Sequence, residues 1–96
     1  MATSNQKNDM SFRAVRGVIL TEICGDSYLV RSGTVKQINE TAAYFWKLFQ
    51  NGTDENELIK ASVSYYEIED IMSLRKDIRE LILSLLNSGL IERYTE

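Results

Sequence analysis

The hydrophobic positions of this chain change period once, at Asn39. Between Arg16 and Ile38 apolar and polar residues alternate in short runs, the pattern of strands; beyond Asn39 they recur every three to four residues, the pattern of helices. In RGVILTEICGDSYLVRSGTVKQIN, Val18, Leu20, Glu22 and Cys24 share one strand face and Ile19, Thr21 and Ile23 the other. Both faces carry apolar side chains, which predicts a central or covered strand. Gly25-Asp26 is a turn signal, SYLVR a second short strand, Ser32-Gly33 a second turn, and Thr34 to Ile38 a third strand rich in β-branched residues. Val35 and Ile38 lie three apart, which predicts a bulge or a strand exit after Gln37.

Asn39 suits a helix N-cap, and Glu40 places an anion where the helix dipole favours one. Ala42, Phe45, Trp46 and Phe49 then form one apolar stripe, and Gly52 is the expected left-handed stop. A second helix begins near Thr53 or Asp54, where Asp54-x-x-Glu57 has the form of a capping box. Its narrower apolar face comprises Leu58, Ile59, Ser62, Val63 and Tyr66, and it ends between Tyr65 and Glu67. The third helix runs from about Asp70 to Asn87, with Ile71, Leu74, Ile78, Leu81, Ile82, Leu85 and Leu86 in helical period. Gly89 ends it, and Leu90 and Ile91 pack back as a short extension. The predicted order is β-β-β-α-α-α: an α+β fold with a three-stranded antiparallel sheet followed by a three-helix bundle.

The 96 residues, 44% hydrophobic, suit one domain with one core. Residues 1–11 are polar and aperiodic, a tail ahead of a domain at 12–96. A net charge of −3, well mixed, offers no general attraction to nucleic acid or anionic membrane. No apolar run reaches the ~20 residues of a membrane span, and the N-terminus lacks a signal-peptide core. A reducing cytoplasm is the natural compartment. With one cysteine and no histidine, internal disulfides, Ser-His-Asp and Cys-His catalysis are ruled out, and a structural zinc site nearly so.

What chemistry remains is thin. Cys24 has no basic neighbour to activate it and fits a small strand residue. Trp46 fits the core better than a ligand stack. Glu67, Glu69 and Asp70 lack the glycine of a calcium loop and fit a solvated loop leading into a helix. Arg75 and Arg79, one turn apart, are either partner contacts or solvent charges, beside an i, i+4 pair of Lys76 and Glu80. The segment Ser32 to Ile38 has no proline and one charge, Lys36, so it is a weakly defended sheet edge. An extended peptide can pair there; so can the protein's own tail, or a second copy in a homodimer.

R-G-V-I-L at 16–20, V-x-x-I-N-E-T-A-A-Y-F-W-K-L at 35–48, G-T at 52–53, E-L at 57–58 and I-L-S-L-L-N-S-G-L-I-E at 82–92 closely resemble the coenzyme PQQ synthesis protein D family, small domains also called RiPP recognition elements. The likeness spans about residues 12–93. It implies a winged-helix-like fold and a non-catalytic role without cofactor or metal: holding the leader of a precursor peptide for a modifying enzyme, often a radical S-adenosylmethionine enzyme, in pyrroloquinoline quinone or related peptide pathways. It also implies that the leader adds as a strand beside the third strand, on Thr34, Val35, Lys36, Gln37 and Ile38, against a groove wall of Leu74, Arg75, Ile78, Arg79 and Ile82. A winged-helix DNA-binding protein is the alternative, but Arg75, Lys76 and Arg79 are offset on that helix by Asp70, Asp77 and Glu80. A small enzyme using Glu22, Glu40 or Tyr28 has no recognisable constellation behind it.

Overall fold

The two turns of the N-terminal half are each two residues long, and both central residues have positive φ: Cys24 at 53° with Gly25 at 86°, and Ser32 at 37° with Gly33 at 88°. That is the turn whose twist matches two antiparallel strands. The computed structural model of the chain describes residues 10–94. In it the turns join β2 (Ile19–Ile23), β3 (Asp26–Arg31) and β4 (Thr34–Ile38) into an antiparallel meander of order β2-β3-β4.

The register is unbroken from Arg31↔Thr34 to Ser27↔Ile38, so there is neither a bulge nor a strand exit after Gln37. Val35 and Ile38, an odd number of positions apart, simply lie on opposite faces. Leu29 is fully buried between Leu20 and Lys36 on the inner face, while Ile19, Val30 and Val35 form a row on the outer one. The first strand of the meander is therefore not central or covered as expected. It is an edge, and Ile19 and Ile23 are 61% and 56% exposed.

One sheet was expected, and there are two. The second is built from strands remote in sequence: β1 (Ser11–Ala14) lies between β5 (Thr53–Asp54) and β6 (Ile91–Tyr94). Val15 N–H donates to Leu90 C=O at 3.0 Å and extends the pairing. The expected C-terminal extension is thus a strand. Of the tail expected at 1–11, residues 1–9 lie outside the described residues, and Ser11 opens β1.

Three helices share one core with both sheets. In α1 (Glu40–Asn51) the Asn39 side chain accepts from Ala42 N–H at 2.8 Å, and Ala42, Phe45, Trp46 and Phe49 are buried as the stripe predicts. In α2 (Glu55–Tyr65) Asp54 accepts from Glu57 N–H at 2.8 Å, and Leu58, Ile59 and Ser62 are buried, but Val63 faces solvent. Tyr66, expected on that face, is the half-buried C-cap, and its neighbour Tyr65 stacks on Tyr44 with centroids 4.6 Å apart. In α3 (Ile71–Asn87) Asp70 accepts from the N–H groups of Met72 and Ser73 and caps the helix into which the acidic loop leads. The helix ends in a Schellman turn: Leu90 N–H donates to Leu85 C=O and Gly89 N–H to Leu86 C=O, both 3.0 Å. Leu90 and Ile91 are thereby delivered to the core with Leu29, Ile38, Phe45, Trp46, Ile78 and Ile82.

Gly52 closes α1 at φ 85°, ψ 129°, and a Cβ there would run into the Tyr94 phenol of β6. Gly52→Ala meets both backbone strain and this clash. It is expected to destabilise the fold by about 1–3 kcal/mol in urea denaturation, more than Gly25→Ala, whose Cβ meets nothing.

Candidate functional site

β4 pairs with β3 alone, so its far edge has no strand partner among the described residues. The turn decides which groups that edge offers. In a two-residue hairpin the flanking pair, Arg31 and Thr34, exchanges both hydrogen bonds, and bonded pairs then alternate along the ladder. Thr34, Lys36 and Ile38 spend their main-chain groups on β3. Val35 and Gln37 turn theirs outward. Val35 is also 64% exposed, so neither its backbone nor its side chain is covered.

The ten residues expected at the site divide into three groups. Thr34, Val35 and Gln37 are exposed on β4, with Lys36 half-buried. Ile38, Ile78 and Ile82 belong to the buried core, with Leu74 packed against it, so β4 and α3 are connected through the interior. Arg75 and Arg79 lie on the outer side of α3, where both hold Glu55 at the start of α2, each at 2.6 Å. Neither is a free solvent charge, and the Lys76–Glu80 pair does not form among the described residues. Arg75 and Arg79 line a shallow cleft of about 330 Å³ with Met72 and Leu83, which are 83% and 53% exposed. Arg79 and Ile82 border another, of about 230 Å³, with Met10, Phe12, Leu83 and Leu86.

Glu55 was missed by the sequence reading. Its only mark there is an acidic residue in the first turn of a helix, a common choice for the dipole. Met72 and Leu83 were missed because they fall outside the stripe that defines the buried face of α3. Among the described residues no group of three His, Cys, Asp or Glu side chains could hold a metal ion, and no helix is long and apolar enough to cross a membrane.

A family model described as coenzyme PQQ synthesis protein D (PqqD) matches residues 28–91, from β3 through β6. The chain belongs to the PqqD family. The match takes in β4, all three helices and both arginines of α3. Two solved structures resemble this PqqD-family chain. One is a lasso peptide synthetase B1 complexed with the leader peptide, at 26% identity and TM-score 0.69, covering 84% of this chain and 96% of that one. The other is TbiB1 in complex with the TbiA(beta) leader peptide, at 22% identity and TM-score 0.72, covering 88% and 99%; at that identity the likeness is one of fold. No curated protein matches the chain.

Hydrogen bonding to Arg79, and after it to Arg75, holds the Glu55 carboxyl below its ordinary value of 4.5 despite partial burial. A depressed folded-state pKa means that the native state favours the ionised form. The contribution is complete above pH 4.5 and is lost as pH falls through the lowered value. Glu55→Gln is therefore expected to cost about 0.5–1 kcal/mol near neutral pH and little in acid, where wild type and variant converge in urea melts at stepped pH.

Proposed function

We propose that this PqqD-family chain binds the leader segment of a ribosomally made precursor peptide as an added strand on β4, and presents it to a modifying enzyme without catalysing a reaction itself. The observation that carries the reading is the open edge of β4, with Val35 and Gln37 directing their main-chain groups outward. Family membership and the two leader-bound structural neighbours support it. The fold reads as winged-helix-like, with β2-β3-β4 as the wing and α3 as the helix beside the guest. Leu74, Arg75 and Arg79 are the α3 groups with surface to give, while Ile78 and Ile82, 2% and 5% exposed, back the wall from within. The engagement of Arg75 and Arg79 by Glu55 takes two of α3's cations away from any polyphosphate backbone, which weighs against the DNA-binding alternative.

The energetics suit transient capture. Each main-chain bond nets about 0.5–1.5 kcal/mol, and ordering the leader offsets part of it. Apolar contacts at about 25 cal/mol per Å² raise the total to about −7 to −9.5 kcal/mol, a Kd of roughly 0.1–10 μM. Capture raises the core peptide at the enzyme to an effective concentration of about mM. A radical S-adenosylmethionine enzyme or another peptide-modifying enzyme is the partner this role requires, and the cytoplasm its compartment.

Titration of candidate leader peptides into isotope-labelled protein is expected to shift the amides of residues 34–38 first. Val35→Pro removes one of the two outward donors and leaves every β3 bond in place, so it should keep the fold and weaken binding at least about tenfold. A folded Val35→Pro variant that binds leader as tightly as wild type would falsify strand addition at this edge.

A further inference from the structure

The meander has two edges, and the same alternation governs both. Ile23 and Asp26 flank the two-residue turn at Cys24-Gly25, as Arg31 and Thr34 flank the other. Ile23, Thr21 and Ile19 therefore spend their main-chain groups on β3, and Leu20 and Glu22 turn theirs outward. β2 pairs with β3 alone, so among the described residues these groups meet no further strand. Nothing along the strand defends them. The run from Val18 to Cys24 holds no proline, lysine or arginine, and its one charge is Glu22. Ile19 and Ile23, 61% and 56% exposed, stand on the outer face of this edge.

The two edges differ in how they would meet a second copy of themselves. Each has two outward-facing residues with one residue between them: Leu20-Thr21-Glu22 on β2 and Val35-Lys36-Gln37 on β4. A second copy running antiparallel across a two-fold axis uses all of these outward groups when the axis passes by the middle residue. Leu20 then exchanges both bonds with Glu22 of the other copy, twice over, giving four main-chain bonds. The middle residue faces its own counterpart in a non-bonded pair, the closest cross-strand approach. On β4 this sets Lys36 against Lys36, like charges directly opposed, which destabilises the pairing. On β2 it sets Thr21 against Thr21, a favourable hydroxyl pair. The same register brings Ile19 of each copy opposite Ile23 of the other on the outer face, and so covers the exposed apolar groups of this edge. Glu22 falls opposite Leu20, and the two Glu22 carboxylates are left as diagonal neighbours.

We propose that the β2 edge is a self-association surface, where two copies join about Thr21 into one six-stranded sheet of order β4-β3-β2-β2-β3-β4. The proposal does not depend on strand addition at β4, and it adds to that reading. The β4 edges lie at the two far ends of the joined sheet, both open, so one dimer has room for two guest strands. Charge divides the sheet: Lys36 keeps β4 from pairing with its own copy and leaves it to a foreign chain, while β2, with threonine at the matching position, takes the copy.

Sedimentation of the full chain from about 1 μM to about 1 mM is expected to show a monomer passing to a dimer within that range. Glu22→Pro removes an outward donor from each copy, leaves every β3 bond in place, and should weaken the dimer at least about tenfold. Thr21→Lys sets at β2 the opposition found at β4 and should abolish the dimer. Glu22→Gln, a milder change at an exposed side chain, removes the diagonal repulsion. It should tighten the dimer about 2–5-fold at low salt and little at high salt. Cross-linking reads the register. Cys24 is exposed and is first replaced by serine. Thr21→Cys then brings two Cα atoms to about 4.5 Å, within disulfide reach, and mild oxidation should give a covalent dimer. Ile23→Cys, opposite Ile19 and far from its counterpart, should not link. A chain that stays monomeric to about 1 mM, or Ile23→Cys linking as readily as Thr21→Cys, overturns the proposal. So does a dimer that Val35→Pro breaks and Thr21→Lys leaves intact, which puts the second copy on β4. Leader titration is scored separately on the same variants. Thr21→Lys is expected to bind leader as wild type does, and Val35→Pro to dimerise as wild type does, so either reading can fail while the other stands.

Discussion

The two-residue turn at Ser32-Gly33 is the constraint on which the rest depends. It requires positive φ at both positions, and so fixes Arg31 opposite Thr34 with no freedom to slip. A shift of one residue would send Val35 to the core, drive Ile38 to solvent, and exchange the outward main-chain groups of β4 for those of its neighbours. Which donors this protein can offer a guest is thus decided by a turn that never touches the guest. Ser32 holds its left-handed conformation without glycine's freedom, and the hairpin packing on both sides over-determines it.

An open edge is useful only if it stays still. The strand enters α1 through Asn39, whose side chain closes the first turn of the helix, and Phe45, Trp46 and Phe49 then lock that helix into the core. The opposite end of the molecule is fastened by β1, which links Thr53–Asp54 after α1 to Ile91–Tyr94 after α3. Glu55 adds a third tie, joining the start of α2 to two successive turns of α3. Each is modest alone. Together they hold β4 against elements that approach it from both chain directions, so little ordering is left for the moment of binding.

The proposed binding mode divides the labour. The edge of β4 supplies hydrogen bonds that any extended chain can accept. Discrimination then has to come from side chains around the edge, such as the exposed Met72 and Leu83 of α3. A binder of this kind requires no reactive residue, in keeping with a chain that has one exposed cysteine and no histidine.

Local pattern was enough for the elements. Period-two alternation with Gly-containing turns marked β2, β3 and β4. The Asn39 and Asp54 caps, the Gly52 and Gly89 stops and the apolar stripes marked three helices within a residue or two of their ends, because caps and stripes are interactions between near neighbours. The family likeness pointed to β4 and α3 on the same grounds. Other features were decided by the tertiary structure alone. β1, β5 and β6 are too short and too far apart to declare themselves, and become strands only when folding brings residues 11, 54 and 94 together. The exposure of β2 depends on which strand ends a sheet, which alternation does not encode. The pairing of Glu55 with Arg75 and Arg79 joins residues whose separation in sequence carries no period. Sequence determines what each segment can be; only packing determines what it faces.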